Sequence, residues 1–140
     1  RPALLQEMGL AAAIDNEVRN RAREAGPVAL VFEPEASCLG HRWPPEVEYA
    51  VFMVAREALG NALRHARASL VHVRLSHGTP DLRLTVLDDG TGLGDEQQRI
   101  KPGHLGLVGM RERVALYGGQ LAVGARAGGG YGVRATLPLT

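Results

Sequence analysis

Residues 56–66 read REALGNALRHA and close a long helical pattern that starts at Pro44-Pro45 and runs to about residue 66. Apolar positions nearly encircle this pattern, which predicts a helix buried between other elements. Burying polar side chains on such a helix without partners is costly, so a polar face on it is either exposed to solvent or a binding site. Periodicity alone leaves both interpretations open. The polar face consists of residues spaced at i, i+4, i+7 and i+8, namely Glu57, Asn61, Arg64 and His65.

The patterns on either side of this helix predict the rest of the fold. Amphipathic stretches at 10–24 and 107–117 predict two further helices. Apolar, β-branched or alternating runs predict five strands, which cover residues 28–32, 70–76, 82–87, 120–125 and 132–137. The second and third strands form one hairpin and the last two another, because short glycine or proline turns separate them. The order αβαββαββ, with about five strands and three helices, favours a two-layer α/β sandwich over an alternating parallel fold.

Length and composition limit the class of protein. A chain of 140 residues with 45% hydrophobic content is expected to form one domain, residues 1–140. The formal net charge of +1 argues against a nucleic-acid partner. The single cysteine, Cys38, fits a reducing cytoplasmic setting, and no apolar run is long enough to span a bilayer. Because residue 1 is Arg, we expect the chain to be a piece of a longer protein.

A second polar motif, DDGTGLG at 88–94, directly follows a predicted apolar strand. Closely spaced glycines let the backbone approach a ligand, and an aspartate at a strand end can accept a hydrogen bond from an exocyclic amine such as adenine N6. An isolated DDG is more often an ordinary turn capped by aspartate. This motif therefore indicates a site only in combination with others.

The third motif is GHLGLVGMR at 103–111, a glycine loop that runs into a predicted helix. The first N–H groups of a helix have no acceptor within it and suit an anion such as a nucleotide phosphate. By itself, this pattern is also typical of an ordinary loop before a helix.

Together, in this order and spacing, the three motifs resemble the histidine kinase branch of the gyrase, chaperone, kinase and mismatch-repair ATPase superfamily. The resemblance covers roughly residues 44–138, and REALGNALRHA with GLVGMRER looks most like the kinase subfamily whose partners are helix-turn-helix response regulators. It implies the Bergerat fold, an α/β sandwich that holds ATP between its helical layer and a lid.

The resemblance implies ATP and Mg²⁺ as cofactors and assigns individual residues to them. It makes Asn61 the Mg²⁺ ligand and Glu57 the catalytic group that polarises the attacking group or a metal-bound water. Asp88, rather than Asp89, matches the aspartate that reads adenine N6. The other implied nucleotide-binding positions are Arg64 and His65 at the phosphates, Gly90 and Gly92 beside the base, Gly103, Gly106 and Gly109 around the phosphates, and Leu107, which matches either the nucleotide site or the core equally well.

The resemblance also implies a reaction and its partners. The domain would donate the γ-phosphoryl group of ATP to a histidine on a separate dimerisation domain of a homodimeric sensor kinase, which signals to a cognate response regulator. The isolated domain is then expected to be a cytoplasmic monomer that does not autophosphorylate. The lack of autophosphorylation is expected because none of the histidines of the chain lies in the family's acidic-histidine motif. These histidines are His41, His65, His72, His77 and His104.

Two other functions stay open. One is a serine kinase of the same superfamily that acts on an anti-anti-sigma factor, although the MRER-type second glycine motif argues against it. The other is a non-catalytic nucleotide-binding module, which two departures from the family pattern keep open. Tyr131 follows Gly130 where the family commonly has threonine, and the lid between Gly94 and Gly103 is short.

Overall fold

The computed structural model describes residues 2–65, 67–78, 80–91 and 106–139. Its helices are α1 (Ala3–Met8), α2 (Leu10–Ala22), α3 (Pro45–His65) and α4 (Gly106–Ala115), with a single 3-10 turn at Ala36–Cys38. Its strands are β1 (Ala29–Pro34), β2 (Leu70–His77), β3 (Asp81–Asp88), β4 (Gln120–Ala125) and β5 (Tyr131–Pro138). The predicted strands are all present, and four of the five extend further than predicted, by one or two residues at one or both ends.

The five strands form one mixed sheet in the order β1-β2-β3-β5-β4. Strand β1 pairs with β2 in parallel, because α3 carries the chain back across the sheet between them. The remaining pairs are antiparallel and include both predicted hairpins. The fold is therefore the predicted two-layer α/β sandwich.

One face of the sheet packs against the helices. Alternate residues of the central strands are buried on that face, as expected for a sheet covered on one side. Helix α3 is the main covering element and contributes buried residues on several faces, as its apolar pattern predicted. The buried aliphatic positions of the central strands are Val71, Val73, Leu75, Leu82, Leu84, Val86, Val133, Ala135 and Leu137.

Helix α1 is a feature that sequence patterns missed, and it makes four helices among the described residues where three were predicted. Its position depends on a residue far along the chain, because Arg42 Nη2 donates to the carbonyl of Gln6 at 3.0 Å. The same guanidinium binds both carboxylate oxygens of Glu48, each at 3.0 Å. Glu48 is only 2% exposed, so Arg42 neutralises a buried charge on α3 while it holds α1 in place.

Two single residues behave as their chemistry suggests. Trp43 is buried in the core. Cys38 is buried and is a free thiol, and burial is the main cause that raises the pKa of its thiol. Within the described ranges, no helix is both long enough and apolar enough to cross a membrane.

Candidate active site

The polar face of α3 forms a connected network. Arg64 Nη2 donates to Oδ1 of Asn61 at 2.7 Å and lies 3.5 Å from Oε2 of Glu57. Asn61 is only 6% exposed, so this face is more than the solvent side of the helix. The structure therefore brings together three of the four predicted α3 residues, and His65 follows as the last, partly buried residue of the helix.

Helix α3 is bounded by residues that suit its ends. It begins at Pro45, with Glu46 and Glu48 in its first turn, where proline and negative charge are favourable. Its last turn carries Arg64 and His65, where positive charge is favourable. Arg64 thus stabilises the end of the helix and also lies beside Asn61.

The start of α4 packs against Glu57. A Cβ placed on Gly106 would overlap the Glu57 carboxylate and lie 2.7 Å from its Cγ, so only glycine allows this approach. Gly109, three residues later, has open space around its Cα and is exposed. Both glycines belong to the first turn of α4, whose N–H groups lack acceptors within the helix. The predicted glycine motif therefore places the start of a helix against Glu57.

Asp88 is the last residue of β3 and is only 3% exposed. Its Oδ1 accepts hydrogen bonds from the backbone N–H of Gly90 at 2.9 Å and of Tyr131 at 3.2 Å. These two donors fix the orientation of a buried carboxylate at the end of a strand.

Asp89 has a different environment from its neighbour. Its exposed carboxylate accepts hydrogen bonds from the Ser69 hydroxyl at 2.6 Å, the Ser69 N–H at 2.9 Å and the Leu70 N–H at 3.0 Å. These bonds, the Ser69 hydroxyl foremost, lower the pKa of Asp89. Asp89 therefore anchors the start of β2, and Asp88 is the aspartate buried beside the glycine motif.

Two residues that position Asp88 were missed by the sequence patterns. Arg126 Nη1 donates to the backbone carbonyl of Asp88 at 2.7 Å. Gly130 has φ +96° and lies so close that a Cβ there would overlap the same carbonyl oxygen. The glycine run at 128–130 indicated a turn, but no local signal showed which strand end that turn contacts.

A small groove of about 270 Å³ opens beside Glu57 and Arg64. Its other lining residues are Arg21 of α2 and Met53 and Arg56 of α3. Arg21 had no sequence signal of its own, because its spacing on α2 is that of a solvated face and its neighbour on α3 is distant in sequence. The groove joins α2 to the predicted site.

A larger cavity of about 550 Å³ lies elsewhere, at the end of β3 opposite Asp88. Its walls include Trp43, Tyr117 and Pro138 and are mostly apolar. None of the predicted site residues lines it. Of those residues, Gly92 and Gly103 lie outside the described part of the chain, as does the side chain of Leu107.

Residues 46–140 match the profile of the family described as histidine kinase-, DNA gyrase B- and HSP90-like ATPase. The chain is 38% identical over 101 residues to the signal transduction histidine-protein kinase/phosphatase DegS of Brevibacillus brevis, a match covering 72% of this chain and 26% of that protein. It is 30% identical to the sensor histidine kinase LiaS of Bacillus subtilis, over 99% of this chain and 37% of LiaS.

A solved structure resembles the chain over most of its length. The blue-light activated histidine kinase of Erythrobacter litoralis is 29% identical and superposes with a TM-score of 0.76. The match covers 93% of this chain and 42% of that protein, so the chain spans less than half of each of these three relatives. The chain belongs to the histidine kinase-, DNA gyrase B- and HSP90-like ATPase family, and its relatives are sensor histidine kinases.

Proposed function

We propose that this domain binds Mg·ATP and donates the γ-phosphoryl group to a histidine on a separate dimerisation domain of a longer kinase. The observation that carries the proposal is the contact between Gly106 and Glu57. It joins the polar cluster of α3 to a helix start that offers free N–H groups. Carboxylate, carboxamide, guanidinium and amide groups in one place match the needs of phosphoryl transfer, which are positioning and charge neutralisation.

We assign the recognition of adenine to Asp88. Its side chain is buried and oriented by the amides of Gly90 and Tyr131, so a carboxylate is presented at the end of β3 with little freedom to move. A fixed carboxylate selects a donor such as the exocyclic amine of adenine. Gly90, also buried, leaves room for a flat base beside it.

The α3 cluster suits a hydrated Mg²⁺. Asn61 and Glu57 supply oxygen atoms, which are the ligands that Mg²⁺ prefers, and Asn61 is the ligand that we assign. When bound, the ion neutralises charge on the β- and γ-phosphate oxygens. Arg64 now donates to the Asn61 oxygen, and a guanidinium and a cation repel each other at one oxygen. Arg64 lies beside Asn61, so with Mg²⁺ held there its guanidinium would be close to the phosphate oxygens, which is why we assign it to the phosphates together with His65.

Glu57 is the residue that we assign to the chemical step. Its carboxylate lies at the groove and is only partly exposed, within reach of an incoming group from another domain. From there it polarises the attacking imidazole, as a general base does. The amides at the start of α4 beside it stabilise negative charge on the transferred group.

The names of the relatives support a histidine acceptor. DegS and LiaS are histidine kinases by name, which favours transfer to histidine over transfer to serine. From the family resemblance of the sequence motifs, we also propose a homodimeric longer protein that signals to a response regulator. The retained Glu57 and Asn61 weigh against a non-catalytic module.

The test is a calorimetric titration of this 140-residue chain with a non-hydrolysable ATP analogue, with and without Mg²⁺. Binding should depend on Mg²⁺ and should weaken at least about tenfold in Asp88→Asn, because the adenine amine would lose its charged acceptor. The control is Asp89→Asn, which removes the neighbouring carboxylate that anchors β2. Absence of binding by the wild type, or equal losses in the two variants, would contradict the proposal.

A further inference from the structure

The groove between α2 and α3 has an unusual charge distribution. Three of its lining residues are arginines, Arg21, Arg56 and Arg64, and they face a single carboxylate, that of Glu57. A concave site of this composition attracts an anion, because several guanidinium groups line one groove.

Two of these guanidinium groups converge over Gly60. A Cβ placed on Gly60 would lie 3.1 Å from Nη1 of Arg64, 3.3 Å from Nη1 of Arg21 and 3.5 Å from Nη2 of Arg21. The two Nη1 atoms cannot be further apart than the sum of the first two distances. Gly60 is buried within α3, where glycine is otherwise unfavourable, and its lack of a side chain leaves room for the two groups to approach this closely. Each guanidinium also has a carboxylate partner, Arg21 with Glu17 and Arg64 with Glu57, and an anion between them can accept hydrogen bonds from the Nη groups that face Gly60.

Arg21 is held in the groove by its own helix. Its Nε donates to Oε2 of Glu17, one turn earlier, at 2.8 Å, and its side chain is 31% exposed. Arg19 forms a pair of the same spacing and length with Asp15, yet it is 74% exposed. The two arginines have the same local pattern and differ in direction, so Arg21 is directed at α3 whereas Arg19 is a solvated surface residue.

We propose that Arg21, together with Arg64, binds the oxygens of the terminal phosphate of ATP. This inference rests on the proposed function, since Arg64 is one of the residues assigned there to the phosphates. Two planar guanidinium groups can each offer paired N–H donors to a phosphate. Glu57 forms the acidic rim of the groove and repels the anion, which confines the phosphate to the side of Arg21 and Arg64. A diphosphate, which lacks the terminal group, would leave Arg21 without this contact.

The decisive comparison is between nucleotides that differ by that phosphate. Arg21→Gln in this chain should weaken calorimetric binding of the Mg²⁺ complex of a non-hydrolysable ATP analogue about tenfold and that of ADP less than about twofold. Arg19→Gln is the matched control, because it removes an arginine of the same helix with the same ion-pair spacing, and both affinities should stay as in the wild type. Wild-type affinity for the ATP analogue in Arg21→Gln, or equal losses for both nucleotides, would overturn the inference.

A second variant tests whether the close approach of the Arg21 and Arg64 guanidinium groups matters for binding. Gly60→Ala keeps both arginines and inserts a methyl group between their guanidinium groups. It should reproduce the selective loss of ATP-analogue affinity, and thermal melting followed by circular dichroism would show that the helix is retained. A fully folded Gly60→Ala chain with unchanged preference for the ATP analogue over ADP would speak against the site.

A nucleotide-free probe separates this inference from the proposed function. Titration with inorganic pyrophosphate should shift the arginine Nε–Hε NMR signal that is missing from the Arg21→Gln spectrum. If the wild type fails to bind ATP and this signal still shifts, the anion site stands and the proposed function fails. If the signal does not move while the wild type binds ATP, the proposed function stands and the role of Arg21 is wrong. If neither is seen, both are wrong.

Discussion

Gly106, at the start of α4, lies directly against the side chain of Glu57 on α3. A Cβ at position 106 would overlap the Glu57 carboxylate and lie 2.7 Å from its Cγ. The second glycine motif of the sequence and the polar face of its central helix therefore meet at this one contact. The position of the Glu57 carboxylate depends on the absence of a side chain at position 106.

Gly106→Ala should displace the Glu57 carboxylate without altering any polar group. Misplacing a catalytic group by about 1 Å can cost about a hundredfold in rate, so we expect phosphoryl transfer by the longer kinase to fall about 10- to 100-fold. Affinity for the ATP analogue should change less than about threefold. The control is Gly124→Ala on β4, where a Cβ meets nothing within 4 Å. Transfer by Gly106→Ala at the rate of this control would show that the contact is irrelevant to the reaction.

Glu57→Gln separates binding from chemistry. The amide has the same shape and can still accept a hydrogen bond from Arg64, but it is a poor proton acceptor. We expect a loss of at least about a hundredfold in phosphoryl transfer, the range for a missing general base, with ATP-analogue affinity within about threefold of wild type. Glu46→Gln, an exposed position in the first turn of the same helix, serves as control. A parallel fall in affinity would assign Glu57 to binding instead.

Gly130→Ala tests how the end of β3 is held. At φ +96° an alanine is strained, and its Cβ would also overlap the Asp88 carbonyl oxygen. Gly128 has φ +85° with nothing within 4 Å, so Gly128→Ala reports the backbone strain alone. Urea unfolding should show that Gly130→Ala loses at least about 2 kcal/mol more unfolding free energy than Gly128→Ala. Equal losses would mean that the close approach to Asp88 adds nothing.

The pH dependence of stability should report the hydrogen bonds of Asp89. Because they lower its pKa in the folded state below the ordinary value of 3.8, the stability that they add is complete above that value. It is lost as the pH falls through the lower folded pKa. Asp89→Asn should therefore be less stable than wild type at pH 7, and the difference should shrink on acidification below about pH 4. Urea unfolding at several pH values measures this, and a pH-independent difference would contradict the assignment.

Most of the fold could be predicted because its signals are local. The strand alternation and the long apolar helix predicted the sandwich and both hairpins. Helix α1 could not be predicted, since six residues give too little periodicity and its carbonyls are bound by Arg42, 36 residues away from Gln6. The parallel pairing of β1 with β2 depends on where α3 crosses the sheet, which the predicted order of elements left open.

Part of the candidate site could also be predicted from local patterns, and part could not. Helical spacing puts Glu57, Asn61 and Arg64 on one face, so they could be grouped from the sequence. The hydrogen bonds from Arg64 to Glu57 and Asn61 confirm this grouping. Arg21 joins them from another helix, and Gly130 reaches Asp88 from another turn. Both contacts depend on tertiary packing between distant segments, which periodicity does not report.

The chemical nature of the phosphorylated product tests directly whether this domain transfers phosphate to histidine. The proposed longer kinase should be incubated with Mg²⁺ and γ-labelled ATP, and the labelled protein treated with acid and with base. Label should be lost in acid and retained in base, as for the P–N bond of phosphohistidine, and Glu57→Gln should carry no label. Acid-stable label on serine, or no label from a wild-type kinase that binds ATP, would contradict it.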